Sequence, residues 1–179
     1  IVSLLFYLLY CLSDFLSYMT SWCTCIIPLY NEQDRVLSVV KTLSALSQID
    51  KFIVVDDGST DESKKIIEQY CDKQIDDRIQ LISYPDNAGK AHAVYTWLQK
   101  VETEYILLFD ADLNDITISQ VAVMIESMYT DPSIDMGILR RVSSGWYIKL
   151  FYRELILSGQ RMLKTKDLYE AFRSHSINR

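Results

Sequence analysis

The run Tyr105-Ile106-Leu107-Leu108-Phe109 ends abruptly in Asp110-Ala111-Asp112-Leu113, two carboxylates one residue apart. Five apolar residues in succession have the length and composition of a strand buried on both faces of a parallel sheet. Such a strand opens into a loop at its carboxyl end, and at that edge open α/β sheets bind ligands. Two readings of the pair are open. Asp110 and Asp112 offer hard oxygen ligands to a divalent cation, which could neutralise a diphosphate. Aspartate is also a common residue of solvated turns. The rest of the chain favours the first reading.

The same strand-then-polar-loop pattern occurs three times upstream. Trp22 to Leu29 reads as a first strand ended by Pro28, with Asn31 as N-cap of a helix and Glu32 and Asp34 in its first turn. Val36, Val40, Leu43 and Leu46 recur at helical spacing. Lys51 to Asp56 is the second strand, followed by Asp57 and Gly58. Ser59-Thr60-Asp61-Glu62 then reads as a capping box, with Ile66, Ile67 and Tyr70 on the inner face of its helix. Arg78 to Ser83 is the third strand; its loop ends in Asn87-Ala88-Gly89-Lys90 before a helix bearing Ala91, Val94, Leu98 and Val101. A Gly-Lys pair at a helix start can cradle phosphate, and a turn with a solvated lysine is the competing reading. Glu104 to Asp110 is the fourth strand, and Ile118, Val121, Ile125 and Met128 mark the next helix.

The tail is less regular. Asp135 to Leu139 is a fifth strand leading to Arg140-Arg141, residues 145–157 an apolar helix, residues 158–164 a turn and short strand, and Asp167 to Phe172 a last helix. The alternation implies an α/β fold, a Rossmann-like, mostly parallel sheet with helices on both faces. It also brings the carboxylates at 56, 57, 110 and 112 and the Gly89-Lys90 turn to one edge.

A chain of 179 residues suffices for one domain with a sizeable core. Its net charge of −6 argues against nucleic-acid binding, which calls for a basic stripe. Cys23 and Cys25 share one face of a strand, and no Cys/His cluster with zinc spacing accompanies them. Free thiols in a reducing compartment are the reading, hence a cytoplasmic protein. Residues 1–21 form a separate apolar segment. Its apolar run, Ile1 to Leu12, is too short to span a bilayer, which takes about 20 residues, and it lacks a basic n-region. A remnant of a membrane anchor, an interfacial helix and a non-native extension all fit it. The globular domain is 22–179.

Four stretches, Ile26-Ile27-Pro28-Leu29-Tyr30-Asn31-Glu32, Val54-Val55-Asp56-Asp57-Gly58-Ser59-Thr60-Asp61, Asn87-Ala88-Gly89-Lys90 and Phe109-Asp110-Ala111-Asp112-Leu113, stand in the order and spacing of family 2 glycosyltransferases. The chain resembles that family, and within it the dolichyl- or polyprenyl-phosphate sugar synthases. The resemblance implies a GT-A fold and a UDP- or GDP-linked sugar donor. It places Pro28, Tyr30, Glu32, Val55 and Asp57 around the nucleoside. It gives Asp110, Ala111 and Asp112 to Mg²⁺ or Mn²⁺ and the diphosphate, with Asp110 and Asp112 as metal ligands. Lys90, Arg140, Arg161 and Lys164 are expected near the donor phosphates, where a metal and Arg161 or Lys164 would stabilise the departing charge.

An inverting transfer needs a base. Where polyprenol-type relatives carry Asp, three residues before Gly159, this chain has Ile156; Glu154 is the nearest carboxylate and the candidate base. A lipid-phosphate acceptor, already anionic, needs none. Placement at the inner face of a membrane rests on the apolar N-terminus and the family flavour. Relatives continue beyond Lys164 into an acceptor side, so the domain is expected to be C-terminally truncated. The competing function is therefore a truncated or non-catalytic nucleotide-binding domain. A nucleotidyltransferase would show a Gly-rich basic loop after the first strand, and Pro28-Leu29-Tyr30-Asn31-Glu32 is neither.

Overall fold

β1 (Cys23–Leu29) and β2 (Ile49–Asp57) lie side by side inside the sheet, paired in parallel from Cys23↔Ile49 to Leu29↔Asp56. A computed structural model of the chain describes residues 23–73, 75–87, 89–98, 100–112, 117–140 and 157–177. β3 (Ile79–Tyr84) adds to β2 in parallel, and β4 (Tyr105–Leu108) adds to β1 in parallel. β6 (Leu157–Lys164) runs antiparallel between β4 and β5 (Met136–Arg140). The order across the six strands is β3-β2-β1-β4-β6-β5.

Alternation along each strand divides the core in two. Cys25, Ile27, Phe52, Val54 and Leu107 point to one face. It is covered by α1 (Val36–Ser44), α2 (Ser63–Asp72) and α4 (Ile118–Thr130), through Val39, Leu43, Ile67 and Val121 among others. Ile26, Ile53, Val55 and Ile106 point to the other face, covered by α3 (Lys90–Leu98) and α5 (Thr165–Ile177). Burial on both faces accounts for the unbroken apolar runs of the central strands. Cys23 and Cys25 are free and fully buried; burial pushes the Cys23 thiol up to about 12.

Several sequence expectations need correcting. Pro28 does not end β1; it pairs with Val55 inside the strand. Phe109 N–H donates to Ile26 O, so Ile26 and, two residues on, Pro28 turn their backbone toward β4, which has already ended at Leu108. The missing proline N–H therefore leaves no gap in the ladder. Residues 158–164 are not a turn and a short strand but most of an eight-residue antiparallel strand. The last helix is longer than expected, Thr165–Ile177. Residues 1–21, positions 145–156 of the expected helix and Glu154 lie outside the described residues; Leu157, expected to end that helix, opens β6.

At the edge away from the ligand side, Arg78 ties the first crossover to β3. Its guanidinium donates to the main-chain oxygens of Ser44, Leu46 and Ile49 at 2.6–2.9 Å, where α1 ends and β2 begins. It also pairs with Asp76 at 2.7 Å and lies over the Phe52 ring. The hydrogen bond from Arg78 holds the Asp76 carboxyl below its ordinary range. A carboxyl lowered in the folded state contributes stability above its unfolded pKa, and that contribution is lost as pH falls. Urea unfolding should therefore show a steeper acid limb below about pH 4 in the wild type than in Asp76→Asn. Arg78→Ala, which strips three carbonyls of their donor, should cost about 2–3 kcal/mol at neutral pH.

Candidate active site

The parallel register ends β1, β2 and β4 at one edge, and the loops that follow enclose a cleft of about 340 Å³. Its walls are Pro28, Leu29, Tyr30 and Glu32 from the β1 end, Asp57 from β2, Asn87 from the β3–α3 loop, and Asp110, Ala111 and Asp112 from the β4 end. The volume suits a small-molecule ligand.

The β1–α1 and β2–α2 loops are locked together. Asn31, at φ +53, accepts hydrogen bonds at Oδ1 from the N–H groups of Thr60 (2.8 Å) and Asp61 (3.3 Å). Its own N–H donates to Ser59 Oγ at 3.0 Å. Glu32 N–H donates to Ser63 Oγ, Gln33 N–H to Asp61 Oδ2, and Glu62 N–H to Gln33 Oε1. This explains two further corrections. Asn31 does not cap its own helix, which starts at Val36. The Ser59–Glu62 box does not form either: Ser59 Oγ is occupied by Asn31, and α2 starts at Ser63, whose N–H is held by Asp61 Oδ1 at 2.9 Å. Burial works against ionisation of Asp61, but hydrogen bonds from Ser63 and Gln33 outweigh it and hold the carboxyl below its ordinary range.

The two β2 aspartates have different work. Asp56 is buried and structural, accepting from Ser59 N–H at 3.1 Å and from Ser83 Oγ at 2.8 Å; it does not line the cleft. Asp57 lines the cleft and accepts Gly89 N–H on Oδ2 at 2.7 Å, which fixes the β3–α3 loop. Gly58, at φ +73, lies against that loop; a Cβ there would stand 2.9 Å from Asn87 N.

At the β4 end, Asp110 accepts a hydrogen bond on Oδ2 from Gln160 Nε2 of β6 at 3.1 Å. Asp112 is exposed, and its main-chain oxygen accepts from Arg35 Nη1 at 3.3 Å. Arg35 Nη2 stands 2.7 Å from Glu32 Oε2, an ion pair whose angles do not make it a hydrogen bond. Arg35 thus joins the β1 loop to the Asp110–Asp112 turn. Sequence reasoning missed it, although its spacing three residues after Glu32 was a signal. Asn87 also lines the cleft and was not among the expected site residues.

Among the expected site residues, the structure brings Pro28, Tyr30, Glu32, Asp57, Asp110, Ala111 and Asp112 together. Val55 lies beneath, fully buried in β2. The backbone of Lys90 opens α3 at this edge, and Arg140 ends β5 opposite Leu157. Arg161, opposite Leu108, is exposed at the same edge without lining the cleft. Lys164 is not there. It pairs with Tyr105 at the other end of β4, about 10 Å along the strand, and its Nζ donates to Pro132 O at 3.0 Å near Asp135. Among the described residues no group of three or more His, Cys, Asp or Glu is placed to hold a metal ion. A cation at Asp110 and Asp112 would therefore need oxygens from its ligand and from water.

The mostly parallel sheet with its acidic cleft at the carboxyl edge has the GT-A fold, as the solved structures similar to it show. The family model "Glycosyl transferase family 2" matches residues 24–177, and the chain belongs to that family. It is 36% identical over 90 residues to a teichoic acid poly(glycerol phosphate) polymerase of Staphylococcus epidermidis, covering 50% of this chain and 12% of that one. It is 35% identical over 96 residues to a dolichyl-phosphate β-glucosyltransferase of Dictyostelium discoideum, covering 49% and 29%. In fold it resembles the mannosyltransferase PcManGT of Pyrobaculum calidifontis, solved with GDP-Man and Mn²⁺, at TM-score 0.64 and 22% identity, covering 79% and 44%. Glucosyl-3-phosphoglycerate synthase of Mycobacterium tuberculosis, solved with Mn²⁺ and UDP-Glc, gives 0.64 and 21%, covering 83% and 58%. The chain thus spans less than a third of these two curated relatives' lengths.

The loop lock can be tested apart from any ligand. Asn31→Gly keeps the left-handed backbone accessible and removes the acceptor; Asn31→Ala loses both. Asn31→Ala should be the less stable of the two by about 1 kcal/mol in urea unfolding. Both should speed hydrogen exchange at the Thr60 and Asp61 amides.

Proposed function

We propose that this chain is the donor-binding part of a metal-assisted glycosyltransferase that takes a sugar from a nucleoside diphosphate and passes it to a polyprenyl-type lipid phosphate. The observation that carries the reading is the meeting of Tyr30, Glu32, Asp57, Asp110 and Asp112 in one cleft at the carboxyl edge. Tyr30, half exposed at the mouth, offers an apolar ring face to a base. Glu32 and Asp57 offer acceptors to base or ribose donors. Asp110 and Asp112 are acceptor-only groups that would repel a diphosphate directly, so their use there calls for a cation between them and it. Mg²⁺ and Mn²⁺ fit oxygen ligands of this kind, and a bound cation would supply charge neutralisation for the leaving diphosphate. Support for Mn²⁺ and for GDP- or UDP-linked donors comes from the solved relatives in complex with them.

In the transfer, the bond from the anomeric carbon to the diphosphate breaks as a bond to the acceptor oxygen forms. Charge builds on the departing diphosphate, and the exposed Arg161, at this edge, is a cation that could approach it. The lipid-phosphate acceptor draws support from relatives named as dolichyl-phosphate β-glucosyltransferases and an undecaprenyl-phosphate sugar transferase. A phosphate acceptor is a ready nucleophile, so the step needs no base; Glu154 stays the candidate base for a neutral acceptor. No helix among the described residues is long and apolar enough to cross a membrane. Contact with a lipid substrate would be made at the membrane surface.

Calorimetric titration with UDP and GDP, with and without Mn²⁺, tests the donor site. One of the two nucleotides should bind in a Mn²⁺-dependent manner. Asp112→Ala should weaken that binding at least as much as the roughly 10–100-fold typical of losing a partner outside the ligand shell. Binding that ignores both the metal and the substitution would contradict the reading. Metal-dependent binding without turnover of the matching nucleotide sugar would assign the chain to nucleotide binding alone.

A further inference from the structure

Gln160 and Gly159 are the residues whose chemistry is least explained by the sheet they belong to. Alternation along β6 puts Gln160 on the same face as Met162, which is fully buried against the α1/α2/α4 side of the core. An apolar side chain would suit that position. Gln160 is instead only 2% exposed, and a carboxamide so buried is costly unless its polar atoms are paired. Its Nε2 donates to Asp110 Oδ2 at 3.1 Å, across 50 residues of sequence. The preceding residue acts on the same atom. A Cβ built on Gly159 would overlap Asp110 Oδ2, so that oxygen occupies the space a side chain would need.

We infer that Gly159 and Gln160 of the antiparallel strand are positioning residues for Asp110, setting the orientation of its carboxylate toward the cation and diphosphate of the donor site. The inference rests on the donor-site reading above. A neutral amide suits this task. It fixes one carboxylate oxygen by a hydrogen bond without placing a positive charge in competition with the cation. Gly159 gives that oxygen its place by having no side chain. Arg161, the next residue, faces the opposite side of the sheet and takes no part in this contact. β6 is therefore more than a cover for the edge of β4. It carries the outer support of one member of the Asp110–Asp112 pair.

The test is Mn²⁺ affinity, measured by calorimetry on the 179-residue chain saturated with UDP or GDP, whichever binds. The proteins are wild type, Gln160→Met, Gly159→Ala, Asp110→Ala and the Asp110→Ala/Gln160→Met double variant. Gln160→Met keeps the volume and removes the donor; it should weaken Mn²⁺ about 10–100-fold. Its affinity for the nucleotide without metal should stay within about twofold, since a support outside the ligand shell is reached only through the cation. Gly159→Ala should weaken Mn²⁺ in the same sense. In the Asp110→Ala background, Gln160→Met should add nothing, because its effect passes through Asp110. If either folded single variant binds Mn²⁺ like the wild type while Asp110→Ala does not, the positioning role is overturned and the donor-site reading stands. An additional loss in the double variant also overturns it, because Gln160 would then act on something else. If Asp110→Ala itself binds Mn²⁺ like the wild type, the donor-site reading fails and the inference falls with it.

Discussion

The parallel pairing of β1 with β2 and β4 is the constraint on which the site depends. Parallel strands all point the same way, so their carboxyl ends open at one edge. Here the register brings Leu29 level with Asp56, and Ile26 level with Leu108. Residues far apart in sequence, Tyr30, Asp57 and Asp110, are thereby delivered to one cleft by the strand register. The driving force lies in the apolar runs between the loops, which are buried on both faces; a one-residue slip would exchange the two core sets and break the packing of each. The polar edge is thus held in place by hydrophobic burial beneath it.

On that platform, hydrogen bonds fix the loops. Asn31, Ser59, Asp61 and Gln33 join the first two loops side chain to backbone, and Asp57 holds the third through Gly89. Arg35 carries the connection to the turn at Asp112, and β6 reaches Asp110 through Gln160. The four polar stretches therefore form one linked rim. Such a rim loses little conformational freedom when a ligand enters, which favours affinity.

Much of this was legible in the sequence, for physical reasons. Apolar runs ending in carboxylates report buried strands whose ends face a ligand edge, so Asp57, Asp110 and Asp112 could be placed together. Other features were not legible. Apolar periodicity reports burial but not strand direction, so the antiparallel course of β6 was hidden, and with it the fate of Lys164. In the linear sequence Lys164 stands three residues from Arg161; on an extended strand those three residues carry it to the opposite edge of the sheet. The helix starts were misplaced because capping side chains were claimed by another loop: Asn31 Oδ1 takes the Thr60 and Asp61 N–H groups, and Ser59 Oγ takes the Asn31 N–H. Local propensity cannot register such a competitor. Pro28 was misread because its neighbour β4 stops short, a fact of register rather than of composition.

The most direct measurement is a crystal structure of the chain grown with Mn²⁺ and the nucleoside diphosphate that binds, with anomalous data collected at the manganese edge. The account predicts a single strong peak within ligand distance of the Asp110–Asp112 carboxylates, bridged to the diphosphate, with the nucleoside between Tyr30 and Asp57. A peak at Asp56, Asp61 or Asp76 instead, or a nucleotide bound away from the β1, β2 and β4 ends, would contradict it.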